Sequence, residues 1–241
     1  MSTSFLLCVP PAYPQAKPEL LVAAAADLTS LQEPLARAFE RTEGIRVRFT
    51  IGASGMLARQ IDQGAPYDLF LSANESFVKD LAKSGKLVPD SVRVYALGRL
   101  GLWSKNGAVQ KLDALTAPAI LHVAIANPTT APYGAAARET FERLGLWPHL
   151  EKKIVYGENV RQALQFAESG NADAVVTSWS LVYDKGGILL SDSTHKPIRQ
   201  AGGIVAGRPE QAAARRFLDF LASPAGRKIL TDHGLTIPAG K

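Results

Sequence analysis

Short apolar runs that stop in a turn of small or capping residues, then restart as amphipathic segments, recur along this chain. That alternation restricts it to folds of parallel strands joined by helical crossovers. The clearest instance is Val47-Arg48-Phe49-Thr50-Ile51-Gly52-Ala53-Ser54-Gly55, continuing into Met56-Leu57-Ala58-Arg59-Gln60-Ile61. It reads as a buried strand over 47–51, a small-residue turn, and a helix that starts at Ser54. A helix N-terminus carries unpaired backbone N–H groups and the positive end of the macrodipole, so it can hold an anion without a lysine. The Ser54 hydroxyl can cap that helix or donate to a bound anion, while Gly52, Ala53 and Gly55 leave the backbone open to close approach.

The same logic repeats on both sides of the chain's middle. Leu20-Leu21-Val22-Ala23-Ala24-Ala25-Ala26 is the first strand candidate, and it passes through Asp27 as N-cap into a helix with Leu28, Leu31, Leu35 and Phe39 at helical spacing. Pro34 is compatible with the first turns of that helix or with a kink. Gly64-Ala65-Pro66 punctuates the chain before a strand over 67–71 and a helix bearing Phe77, Leu81 and Leu87. Beyond residue 119 the reading is a strand over 120–126, a loop over 127–134 and a helix over 135–144. A short strand at 153–156 follows, then a helix capped by Gly157-Glu158-Asn159 that begins near Val160, and a strand over 172–176 that ends at Thr177 and Ser178. From Pro209 a long helix carries Ala213, Phe217, Phe220 and Leu221 in register, with a further segment over 225–233. Residues 95–103 make a strand long enough to cross between two halves.

Four strand-to-helix switches result, at Asp27, Ser54, Tyr133 and Val160. In open α/β sheets ligands bind beyond the carboxyl ends of strands, where such switches face one another. Two lobes that oppose their switches line a cleft with helix N-termini. The pattern alone fits equally an α/β protein in which these turns are purely structural.

At 241 residues, with 46% hydrophobic and 20% charged residues, the chain can bury the core of one large domain or of two lobes. The formal charge of +5 is spread along the sequence without a basic run interleaved with aromatics, which argues against a nucleic-acid partner. A single cysteine, Cys8, excludes an intrachain disulfide. Residues 1–17 hold the apolar run Phe5-Leu6-Leu7-Cys8-Val9 followed by Pro10, Pro11 and Pro14, and are expected to be a leader or the remnant of a signal peptide. No apolar stretch approaches the roughly 18 residues that span a bilayer.

Competing chemistry is thin. Ser54 lacks the hydrolase elbow, because Met56 stands where that motif needs glycine. His122, His149, His195 and His233 have no metal-ligand spacing, so no cation site is expected. No phosphate-binding glycine loop or dinucleotide fingerprint is present. Trp103, Trp147 and Trp179 read as packing or hinge residues.

The segments Ala24-Ala25-Ala26-Asp27-Leu28-Thr29, Gly52-Ala53-Ser54-Gly55, Gln60-Ile61-Asp62-Gln63-Gly64-Ala65-Pro66-Tyr67-Asp68-Leu69-Phe70-Leu71-Ser72-Ala73 and Ala131-Pro132-Tyr133-Gly134 resemble the periplasmic molybdate-binding proteins of ABC importers. The similarity runs from about Glu19 to Pro238, and the Gly-Ala-Pro-x-Asp-Leu-Phe block is its most telling part. It implies a type II periplasmic binding fold, α/β, with lobe I over 18–97 plus 204–241, lobe II over 98–203, and two or three hinge crossings. It further implies a periplasmic, monomeric, non-enzymatic receptor without a cofactor, which carries molybdate or tungstate to a membrane permease. Carried over by position, the oxyanion would be held by Ala26 and Asp27, by Ser54, and by the backbone N–H groups of Tyr133 and Val160. Thr177 stands where some members place a tyrosine hydroxyl.

Asp27 departs from the serine of many members. An ionised carboxylate cannot donate, and about 4 Å from an anion it is repelled by ~4 kcal/mol per unit charge at an effective dielectric of about 20. One reading turns Asp27 inward as an N-cap, lending the site only its backbone N–H. The other is altered specificity, or a protonated carboxyl that donates. Three rivals remain at this stage: a receptor for another tetrahedral oxyanion or small anionic solute, a ligand-sensing regulatory module of the same architecture, and a hydrolase.

Overall fold

The alanine-rich run that opens the fold is buried over most of its length, as befits a strand paired on both edges and covered on both faces. The computed structural model describes residues 18–239, so the expected leader over 1–17, with Cys8, lies outside the described residues. In chain order the first half contains β1 (Glu19–Ala25), α1 (Gln32–Glu43), β2 (Arg46–Gly52), α2 (Ser54–Asp62), β3 (Leu69–Ser72), α3 (Glu75–Lys83) and β4 (Arg93–Gly98). The next part contains β5 (Leu100–Trp103), β6 (Val123–Ala126), α4 (Pro132–Arg143), α5 (Trp147–Leu150), β7 (Ile154–Gly157), α6 (Val160–Ser169), β8 (Ala174–Ser178) and β9 (Ile188–Leu189). The chain closes with β10 (Ile198–Ile204), α7 (Gln211–Ala222) and α8 (Pro224–Asp232).

These strands form two five-stranded sheets, ordered β2-β1-β3-β10-β4 and β7-β6-β8-β5-β9. In each, the central strands run parallel (β1 with β2 and β3, β6 with β7 and β8), while the strands that return from the other lobe run antiparallel. The expected crossing strand over 95–103 is two strands separated by Arg99: β4 ends in the first sheet and β5 begins the second. The second crossing joins β9 to β10.

Tertiary pairing corrects several boundaries. Residues 198–203, assigned to lobe II on sequence, belong to β10, which pairs with β3 and β4 in the first sheet. The first helix begins at Gln32 rather than Asp27; a single 3-10 turn over Ala26–Leu28 intervenes. Pro34 therefore falls in the first turn of α1, where its missing N–H is harmless. α4 starts at Pro132, three residues before the expected 135, and β6 begins at Val123, leaving His122 outside the strand.

Phe39, Phe217 and Leu221 pack on one face of the first sheet, and Leu57, Phe70 and Val78 on the other. The second lobe's core, built on Val123, Phe141, Leu164 and Val175, continues into Ala25, Ala26, Ala53 and Ala73 of the first lobe. Methyl-sized side chains at that boundary let the two sheet ends approach closely. The lobes are thus closed on each other in this structure.

Candidate functional site

Where the carboxyl ends of β1, β2 and β6 meet the starts of α2, α4 and α6, a small pocket opens between the lobes. From the first lobe it is lined by Ala26, Asp27, Ala53, Ser54 and Ala73, and from the second by Ala131, Tyr133, Asn159 and Val160. No lysine or arginine is among its lining residues. A wider groove between α1 and β2 is open to solvent and lined by charged side chains such as Glu33 and Arg48, which pair with Arg37 and Glu19; the start of α1 is the one helix start on it, from the first lobe.

Each helix start leaves a donor for the pocket by satisfying its neighbours. Asn159 caps α6, its side chain accepting from the N–H groups of Arg161 and Gln162, which leaves the first N–H of the helix, that of Val160. In α4, Gly134 and Ala135 donate to the Ala131 carbonyl, and among the described residues no backbone carbonyl accepts from Tyr133. In α2, Gly55 donates across the cleft to the Thr130 carbonyl at 2.9 Å, and Ser54, the first residue, keeps its N–H. The Ser54 hydroxyl does not cap its own helix, one of the two roles open to it on sequence. It accepts from the Ala73 N–H at 3.0 Å and is buried. With a lone pair so occupied, its proton is free to serve a ligand.

Asp27 does not cap its own helix, contrary to the inward N-cap expectation. Its Oδ2 accepts from the Tyr133 hydroxyl at 3.1 Å and from Gln200 Nε2 at 2.5 Å. Gln200 Nε2 also donates to the Tyr133 oxygen at 2.9 Å, and Gln200 Oε1 accepts from the Tyr95 hydroxyl at 2.7 Å. The Ser180 hydroxyl, from the second lobe, donates to the Asp27 carbonyl at 2.7 Å. The network therefore ties the lobes together directly behind the pocket. Burial pushes the Asp27 carboxyl up to about 7, and the bonds from Gln200 and Tyr133 offset that only in part. Tyr95 and Tyr133 are held well above their ordinary range by burial and by the nearby Asp27 charge.

Ala26, Asp27, Ser54, Tyr133 and Val160 all line the pocket, whereas Thr177 does not. Fully buried on β8, Thr177 donates its hydroxyl to the Val160 carbonyl at 3.1 Å, so it positions the start of α6 from behind. A short side chain on that strand reaches the helix, not the ligand space. Gln200, Tyr95 and Ser180 join the site without being among the residues expected there from the sequence. Gln200 sits at a register shift in the β10–β4 pairing, and such a bulge re-aims a side chain. Its one sequence signal was an uncharged polar residue within Ile198-Arg199-Gln200-Ala201-Gly202-Gly203-Ile204.

His195 and His233 face backbone carbonyls through Nδ1, Trp103 donates to the Lys185 carbonyl, and Arg138 lies over Trp147. Asp68, from the block that carries the resemblance most strongly, lies away from the pocket: it accepts from the Leu21 N–H and from Arg208.

Residues 20–236 match the family model of bacterial extracellular solute-binding proteins. The chain belongs to that family. Among its relatives, the molybdate-binding protein ModA of Rhodobacter capsulatus is 38% identical over 97% of this chain and 94% of its own length, and ModA of Azotobacter vinelandii is 36% identical over 90% and 89%. The solved structure of the Azotobacter vinelandii periplasmic molybdate-binding protein superposes with a TM-score of 0.87 at 32% identity, covering 91% of this chain and 100% of that one. The sulfate-binding protein SubI of Mycobacterium tuberculosis, at 18% identity and a TM-score of 0.76, shares the fold. The two lobes of this chain are α/β, and the pocket lies between them.

Proposed function

We propose that this solute-binding protein captures molybdate or tungstate outside the cytoplasm, in the periplasm, and delivers it as a monomer to an ABC permease. The observation that carries this reading is the pocket itself: helix starts and a serine hydroxyl converge on it from both lobes, with no cation among its lining residues. A tetrahedral dianion offers acceptors and no donors, which matches a set of N–H and O–H groups. Charge-assisted hydrogen bonds of about 1.5–3 kcal/mol each, from both lobes, stabilise the closed form over the open one, and that difference is what a permease reads. The similarity to molybdate-binding relatives over nearly the whole chain supports the same ligand. The Ser54 oxygen accepts from the Ala73 N–H, and among the described residues no side-chain base is bonded to it, which supports a receptor over a hydrolase.

A second reading, a receptor for another oxyanion, draws on Asp27, whose carboxyl distinguishes this pocket from a set of donors alone. Calorimetric titration with molybdate, tungstate, sulfate and phosphate separates the two. Binding of molybdate and tungstate with weak or no heat from sulfate and phosphate is expected. Clear binding of sulfate or phosphate with none of molybdate or tungstate removes the first reading.

A further inference from the structure

Asp27 lines the pocket and is 1% exposed; its Oδ1 is buried without a hydrogen-bond partner among the described residues, while Oδ2 accepts from Tyr133 and Gln200. A buried carboxylate oxygen without a donor is unfavourable, and a dianion brought beside it makes it more so. A protonated Oδ1 reverses both terms, because it becomes a donor facing a ligand that only accepts.

We propose that Asp27 is a ligand-contacting group in its carboxylic acid form, so that capture of a fully deprotonated oxyanion is coupled to uptake of one proton from solvent at Oδ1. The balance is simple: the carboxylate, one proton from water and the dianion combine into a complex in which the new O–H donates to an anion oxygen. No other bond is made or broken. The inference rests on the oxyanion reading of the pocket and goes beyond it, since it makes the protonation state of one residue a determinant of which anion is held. With Asp27 ionised, Oδ1 can only accept, which favours anions that keep a hydroxyl; with Asp27 protonated, the site favours those that have none.

The surroundings leave this proton to Asp27. Tyr133 on α4 faces the carboxyl directly and Tyr95 on β4 reaches it through Gln200, and both tyrosines stay neutral. β10 contributes Gln200; its Arg199 is paired with Glu75. On α6, Arg161 is paired with Glu168, and on β2, Arg46 and Arg48 are paired with Glu19. Ser180, in the 3-10 turn after β8, has no charge. Among the described residues no cation pairs with Asp27; burial outweighs the bonds from Gln200, Tyr133 and its own backbone N–H, and pushes the carboxyl up to about 7.

The test is isothermal titration of molybdate into the full chain from pH 6 to 9, each point in two buffers of different ionisation enthalpy. The wild-type protein is expected to take up close to one proton per molybdate at pH 8, with affinity falling about 50-fold from pH 7 to pH 9 as the fraction of protonated Asp27 falls. Asp27→Asn, whose amide supplies a permanent donor, is expected to bind with no proton uptake and a flat pH profile. Wild-type binding without proton uptake and with an affinity independent of pH overturns this proposal alone. Proton uptake that persists in Asp27→Asn also overturns it. No binding of molybdate by the wild-type protein at any pH overturns it together with the ligand assignment.

Discussion

The hydroxyl of Tyr133 occupies the space that a β-carbon on Gly98 would fill. Gly98 is the last residue of β4, beside the first interlobe crossing, and Tyr133 belongs to the helix start that faces it from the other lobe. The hinge strand thus has no side chain at the one point where the hydroxyl must pass to reach Asp27 and Gln200. Gly98→Ala is expected to push Tyr133 out of the network and hold the lobes apart. Small-angle scattering with saturating molybdate should show a larger radius of gyration than the wild-type complex, together with at least tenfold weaker binding.

Tyr133→Phe separates the two roles of that residue. The backbone N–H at the start of α4 is retained, whereas the donor to Asp27 Oδ2 and the acceptor for Gln200 are lost. Loss of a hydrogen bond to a charged or strongly polar buried group costs about 1.5–3 kcal/mol. Because the bond crosses between lobes, that loss falls on the closed form, and calorimetry should report molybdate binding weakened roughly 10- to 100-fold.

Ser54→Ala removes a hydroxyl whose oxygen accepts from Ala73 and whose proton is available to a ligand. The expected effect is molybdate binding weakened by about 10- to 100-fold, from about 1.5–3 kcal/mol for one charge-assisted bond. An unchanged dissociation constant would take Ser54 out of the binding set.

Stability of the unliganded protein should carry the mark of Asp27. Its folded-state value of about 7 lies above the ordinary 3.8, so between those values the folded chain keeps a proton that the unfolded chain has lost. Stability is greatest below pH 4 on this account, falls as pH rises towards 7, and levels off above it. At about 1.4 kcal/mol per pH unit the full penalty above pH 7 is on the order of 4 kcal/mol, less where the lobes open and rehydrate the carboxylate. Asp27→Asn is expected to remove this dependence. Urea unfolding at pH 5 and pH 8 should therefore show the variant gaining over wild type at the higher pH.

Arg208→Ala tests a residue outside the pocket. It removes the charged partner of Asp68, which is 1% exposed and also accepts from the Leu21 N–H on β1. A loss of about 1.5–3 kcal/mol in urea unfolding is expected, with the molybdate dissociation constant of the folded fraction unchanged. A large loss of affinity would instead tie the Gly-Ala-Pro-x-Asp-Leu-Phe block to ligand binding.

Sequence by itself determined the local grammar of this protein. Apolar runs ending in small or capping residues set β1, β2 and β6 and the helix starts at Ser54 and Val160, because strand burial and N-capping are decided within a few residues. Those short-range signals were enough to mark Asp27, Ser54, Tyr133 and Val160 as strand-to-helix switches, and the family motifs supplied Ala26, the expected ligand contacts and the two-lobed arrangement. Tertiary structure alone decided what depends on contacts between residues distant in the chain. It put β10 into the first sheet rather than the second lobe, since strand pairing leaves no trace in a single segment's pattern. It turned Thr177 toward the Val160 carbonyl and away from the pocket. It also gave Asp27 partners 106 and 173 residues away in place of its own helix. Burial by those distant neighbours, which no local pattern records, makes a residue that reads as an ordinary helix cap into a carboxyl that titrates near neutrality.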